Sequence, residues 1–357
     1  MRLRFLRSLS ALAIAMAIAT LTAITLEGQA PAANTRTSAA ATTWTPPRTP
    51  DGRPDLQGNW SNNSVTPLER PKPWAGKQFL TDAELAELQR LTAEVTEEGG
   101  DAQFGDSIIE NALAGKKNPT STDAGTGNYN HFWLVERQVE DRRTSLLTDP
   151  PDGRLPPLTA VQERQTAAAA QRRGRILDNP EDRGLGERCV NFGVPKLGAG
   201  YNSYYQIVQT PGYVMFLSEM AHDARIIPVD GRPHVDKNLR LWNGDPRGHW
   251  EGDTLVVEST NFSPKSQFRQ SRENLQLVER FTRVGPDILN YEVTVTDPTV
   301  WTKAWTAMIP LKRTDDLIFE YACHEGNYRS MEGSLKGTRV LEKEAAEAAG
   351  IKTTSRP

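Results

Sequence analysis

Between Leu275 and Thr296 apolar and polar residues alternate with a period of two. Leu275, Leu277, Glu279 and Phe281 fall on one face of the first run, against Gln276, Val278, Arg280 and Thr282 on the other. In the second run Leu289, Tyr291, Val293 and Val295 oppose Asn290, Glu292, Thr294 and Thr296. This pattern predicts strands that bury one side of a sheet. Short runs of the same kind recur from Tyr204 onward, near 204–209, 213–219, 224–228, 250–259, 302–311 and 317–321. Pro211-Gly212, Asp230-Gly231, Gly252-Asp253 and Gly285-Pro286-Asp287 punctuate them, and connections this short make neighbouring strands antiparallel. The chain is therefore expected to be mainly β, an antiparallel meander over 201–330 closing into a barrel. About eight strands suffice to remove the exposed edges and leave space for one small ligand.

Upstream the period changes. Leu85, Leu88, Leu91 and Val95 lie at helical spacing behind a Thr81-x-x-Glu84 capping box, which predicts a helix over 82–98 ended by Gly99-Gly100. A second box, Thr159-x-x-Gln162, opens an Ala-rich helix expected to stop at Gly174. These helices belong to a helix and loop layer over 81–200, with a long polar loop near 99–128 and a short strand near 144–148. An extended wrapping segment, 33–80, precedes it and holds a possible first strand at 56–62; residues 331–357 form a C-terminal tail.

The first 32 residues read differently again. Arg2, Arg4 and Arg7 precede an apolar run from Leu9 to Leu26, and Ala30 and Ala32 supply a small-x-small cleavage pair, as in a Sec-type signal peptide. The competing reading is a permanent anchor. With the leader removed no membrane span is expected, and the localisation is periplasmic or secreted. The net charge of −3 becomes −5 once a leader carrying three Arg and one Glu is lost, with no basic stripe for nucleic acid. Oligomeric state is left open.

Cys189 and Cys323 are the only cysteines, and in an oxidising compartment they either pair or remain two buried thiols. The sequence contains no CxxC, HExxH, GxSxG, GxxxxGK[ST] or CxxCH motif, and no GxGxxG follows a strand. That disfavours a structural zinc, serine esterases, NTPases, dehydrogenases and c-type haem, so no metal or other cofactor is expected.

Two resemblances add to this reading. Gly58-Asn59-Trp60 ahead of a meander resembles the glycine-x-tryptophan motif on the first strand of lipocalin or calycin-type barrels, although about 140 residues intervene here. The strings Pro50 to Trp60, Arg143 to Leu146, Asp149 to Arg154, His222 to Ile226, Gly248 to Val257 and Tyr321 to Tyr328 resemble those of a large, paralogue-rich family of exported bacterial proteins. That resemblance implies export and a shared fold, and transfers no catalytic role.

Candidate chemistry concentrates in three places. In Glu219 to Arg225, His222 is a candidate general acid or base, with Asp223 to tune it and Arg225 to bind an anion. On a regular strand, however, His222 and Asp223 point to opposite faces. At 321–325, Tyr321 is a candidate ligand contact and His324 and Glu325 candidate catalytic groups at a barrel mouth, unless a Cys323 disulfide makes the segment architectural. Trp250, Glu251 and Trp305 are candidate ligand contacts: Gly248 to Asp253 reads most simply as a tight hairpin, ahead of a catalytic Glu251/Asp253 carboxylate pair, and the tryptophans suit ring stacking and a packed core equally. Arg280 is a further contact candidate: it pairs with Glu292 across strands, inside the barrel if those faces point inward and in solvent otherwise. The leading function is a periplasmic or secreted protein binding a small, partly apolar molecule in an aromatic-lined pocket. The alternatives are a cofactor-independent hydrolase, lyase or isomerase using His222 or His324, and an envelope interaction module without a pocket.

Overall fold

Alternation becomes ladder in the computed structural model, which describes residues 44–96, 107–117, 137–139, 141–171 and 179–350. Apart from Trp44, these belong to one compact unit, Thr45–Pro357. The signal-peptide pattern, residues 33–43, most of the polar loop near 99–128 and the segment from His131 to Glu136 lie outside the described residues. Among the described residues ten strands form: β1 (Gly58–Ser61), β2 (Leu147–Asp149), β3 (Tyr204–Thr210), β4 (Tyr213–Ser218), β5 (Asp223–Pro228), β6 (Asp245–Glu251), β7 (Thr254–Thr260), β8 (Gln276–Arg283), β9 (Ile288–Thr296) and β10 (Trp305–Thr314).

Register follows the sequence pattern. Leu277, Glu279 and Phe281 of β8 stand opposite Val295, Val293 and Tyr291 of β9, all buried, while Arg280 stands opposite Glu292 on the outer face. β10 adds Trp305, Ala307, Ile309 and Leu311 to the same interior. The helical layer has its own small core, in which Leu88, Val95, Ile108, Ile109 and Ala112 pack with Val65 and Leu80.

Nine of the strands run in the order β5-β4-β3-β1-β10-β9-β8-β7-β6, every pair antiparallel, and β2 pairs with β10 outside that path. β1 thus joins β3 to β10, so a meander interrupted in sequence is continuous in space. The result is a mainly β, antiparallel sheet nearly closed into a barrel. Trp60 of β1 is fully buried, donates from Nε1 to Leu56 O at 2.9 Å, and has the guanidinium groups of Arg283 and Arg313 5.6 and 5.8 Å from its ring centroid.

The two ends of the path, β5 and β6, are not joined by a ladder. Proline, which has no N–H to donate, is tolerated on such edges: Pro228 ends β5 and Pro246 sits in β6. The seam between them is packed through a glycine. A Cβ built on Gly248 would lie 2.8 Å from Val229 Cγ1 and 2.9 Å from Ile227 Cγ2, so the absence of a side chain lets β5 and its continuation press against β6.

The helices are α1 (Asp82–Val95), α2 (Ser107–Leu113), α3 (Ala160–Gln171) and α4 (Cys323–Ala348). α1 carries the expected capping box, with Glu84 N donating to Thr81 Oγ1 and Thr81 N to Glu84 Oε2. Thr159 caps α3 by accepting from Gln162 N at 3.2 Å. Two expectations are corrected. The strand expected near 317–321 is absent: after Asp315-Asp316 the chain leaves the sheet with Leu317 and Phe319 exposed. What was read as a strand end followed by a tail is the 26-residue α4, rich in good helix formers and supported by the Glu332–Lys336 and Glu347–Lys343 pairs one turn apart. A disulfide joins Cys189 to Cys323, pinning the start of α4 to the loop that leads into β3.

Candidate functional site

Glu279 is a charged residue between Leu277 and Phe281 on the inward face of β8, and the structure buries it completely. An isolated carboxylate there would carry a large desolvation cost, so its partners decide what the interior is. Arg225 of β5 meets it with two bonds, Nη1 to Oε1 at 3.0 Å and Nη2 to Oε2 at 2.5 Å, and Nη2 also reaches Ser259 Oγ of β7 at 3.2 Å. Tyr291 of β9 donates its hydroxyl to Glu279 Oε1 at 2.8 Å. Burial penalises the Arg225 charge most, yet the Glu279 carboxylate outweighs it and leaves the guanidinium's pKa raised. Burial, reinforced by Glu279, also holds the Tyr291 phenol well above its ordinary value.

Beside this pair lies a small, partly open pocket of about 50 Å³. Aromatic rings make its apolar wall: Phe216 and Phe281 have centroids 4.4 Å apart, and Phe281 stacks on Tyr291 at 4.7 Å. The polar wall comes from Lys196, Ser218, Asp223, Arg225 and Glu279. Lys196 Nζ is 3.7 Å from Asp223 Oδ2 and 3.5 Å from Met220 O. Burial is the main reason its pKa is lowered, against the pull of Asp223. Asp223 is held instead by buried Asn191, whose amide donates to both carboxylate oxygens at 3.2 Å and also to Asn243 Oδ1 at 3.1 Å.

The backbone beside this wall is strained. Ala221 and His222 both adopt left-handed φ, +60° and +42°, in the turn between β4 and β5. A non-glycine residue pays for that conformation only where its surroundings enforce it, and such outliers concentrate at functional sites. The turn is tied by His222 N donating to Glu219 O at 3.1 Å, and buried Glu219 accepts Phe319 N on Oε1 at 3.0 Å.

Of the residues singled out in the sequence, the fold brings Asp223 and Arg225 together on the pocket wall. His222, one residue away, is exposed and does not line the pocket; it sits in the turn before β5 and not on a regular strand. His324 and Glu325 are exposed in the first turn of α4. Tyr321 lies beside the disulfide-linked segment, edge-on to Phe192 at 5.7 Å and Tyr201 at 6.2 Å. Trp305 is fully buried core against Trp301 and Phe268, and Trp250 is half-buried against the same core. Glu251 and Arg280 meet on the outer surface at 2.7 Å, so Arg280 pairs with Glu251 in place of the expected Glu292. Arg280 is the first cause of the lowered Glu251 pKa, followed by His249.

Lys196, Asn191, Ser218, Glu279 and Tyr291 were not singled out as site residues. Glu279 carried a visible signal, a charge in an apolar register; Lys196 and Asn191, in a Gly- and Pro-rich loop, carried none. Among the described residues no group of three His, Cys, Asp or Glu side chains is placed to hold a metal ion, and no helix is long and apolar enough to cross a membrane. Comparisons with protein-family models, curated proteins and solved structures find no match.

Proposed function

We propose that this chain is an exported binding protein that holds a small molecule inside its barrel, in the pocket between the Phe216–Phe281–Tyr291 rings and the Lys196–Asp223–Arg225 wall. The observation that carries the reading is the wall itself. A barrel interior needed only for stability is best filled with apolar side chains, and replacing buried ion pairs by such side chains is often neutral or stabilising. Here charged groups of β5, β8 and the 191–196 loop converge on a space that is not filled. Apolar walls with a few placed polar groups are the usual composition of a ligand site.

Export is supported by the leader-like first 32 residues, by the Cys189–Cys323 disulfide, which persists in oxidising compartments, and by the resemblance to exported bacterial proteins. The enzyme alternative built on His222 or His324 draws no support from their positions, since both residues are exposed and neither lines the pocket.

Thermal-shift screening of the disulfide-intact mature protein against a small-metabolite library tests this function. Stabilisation by a ligand is expected to vanish in Phe281→Ala, if that variant folds, and in Ser218→Val, and to persist in His324→Ala. Ligand stabilisation that survives both pocket substitutions would refute the assignment.

A further inference from the structure

The hydrogen-bonding capacity left unused in the pocket is mostly of one kind. Arg225 Nε, on a side chain 9% exposed, has no partner, and neither does the hydroxyl of Ser218, which is 6% exposed. Lys196 offers three N–H donors, and its two contacts, 3.5 Å to Met220 O and 3.7 Å to Asp223, are both at the long limit for a hydrogen bond. The acceptors are by contrast engaged: Glu279 takes two bonds from Arg225 and one from Tyr291, and Asp223 takes Asn191 on both oxygens. Burying a donor without a partner is costly, so the molecule that completes this site brings acceptors.

Charge sharpens that requirement. Arg225 is neutralised by a bidentate carboxylate, whereas Lys196 has only a 3.7 Å ion pair with Asp223, too little to offset the burial that disfavours its ammonium. Size adds a preference: the space beside the polar wall is small, about 50 Å³, which suits a ligand with a short apolar end.

Resting on the binding function proposed above, we infer that the pocket's ligand is a short-chain monocarboxylate of acetate or propionate size, its carboxylate on Lys196, Ser218 and Arg225 and its alkyl end against Phe216 and Phe281. Glu279 occupies only the two Nη groups of Arg225 and leaves Nε, and Asp223, held by Asn191, stands 3.7 Å from Lys196, so each of the three groups keeps a donor for the ligand. The negative charge of Asp223 and Glu279 also disfavours a dianion such as oxalate in so small a space.

Isothermal titration of the full mature chain, disulfide intact, with acetate, propionate, propionamide and 1-propanol decides the matter. Propionate is expected to bind, and both neutral analogues to bind at least about tenfold more weakly, the loss expected when one charge-assisted hydrogen bond is removed. Lys196→Met is expected to weaken propionate by a similar factor, and Lys196→Arg to restore most of the loss. Ser218→Ala, a smaller change, guards against a Lys196→Met chain that fails to fold and is expected to weaken propionate several-fold. Propionamide binding as tightly as propionate, or propionate binding unchanged in Lys196→Met and Ser218→Ala, would overturn the inference. If the neutral analogues bind and the carboxylates do not, the pocket function stands and the carboxylate class falls; if neither class binds, both fall.

Discussion

Replacing Glu279 by Leu strands the Arg225 guanidinium inside the barrel. Glu279 is fully buried and the Arg225 side chain nearly so, hence the lost partner is not replaced by bulk water. Breaking a buried pair from one side costs about 3–5 kcal/mol, and leaving the buried Tyr291 hydroxyl without its acceptor adds roughly 1–3 kcal/mol. Against a typical total of about 5–15 kcal/mol, Glu279→Leu alone is expected to bring the protein close to unfolding. Arg225→Met strands the carboxylate instead, at a similar cost of about 3–5 kcal/mol. The double variant Arg225→Met/Glu279→Leu removes both charges, leaves the Tyr291 and Ser259 hydroxyls without these partners, and is expected to be destabilised by about 2–5 kcal/mol relative to the parent, less than Glu279→Leu alone. Urea denaturation of the four oxidised proteins closes the cycle, with an expected coupling energy above about 2 kcal/mol. Additivity of the two single changes to within about 0.5 kcal/mol would show that the charges are not coupled across the interior and would refute the reasoning.

Gly248→Ala puts a methyl within 2.9 Å of both Ile227 and Val229 side chains and is expected to destabilise by about 1–3 kcal/mol, through overpacking at the seam; an unchanged urea midpoint would contradict it. Reducing the Cys189–Cys323 bond, which spans 134 residues, is expected to lower stability by about 2–5 kcal/mol, the chain-entropy ceiling being about 5. Because that bond anchors α4 and not the sheet, amide exchange on reduction is expected to rise in 323–348 before it rises in β8 and β9; equal and simultaneous loss of protection in both would argue against this order.

Legibility in the sequence followed how local each signal is. β8 and β9 were readable because a period of two needs only nearest neighbours in the chain, and α1 because its capping box spans four residues. The helical α4 was not, since its first turn, Cys323 to Gly326, sits next to residues that read as a strand and has no side-chain N-cap to mark it. In the site, Asp223 and Arg225 were legible because two residues apart on a strand places them on one face. Lys196 and Asn191 reach the pocket through a loop whose path depends on tertiary contacts, and the partner of Arg225 lies 54 residues away in sequence. The same holds for Arg280, whose outward face was an open question until barrel curvature set its reach toward Glu251.

Eight of the nine junctions around the cylinder are made by main-chain groups, which every residue except proline supplies regardless of its identity. The ninth depends on side-chain identity: Arg225 reaching Ser259 and Glu279, Asn191 bridging Asp223 to Asn243, and the bare Gly248. Substitution at these few positions is therefore expected to loosen the margin between β5 and β6 while the eight main-chain ladders keep their neighbours and register.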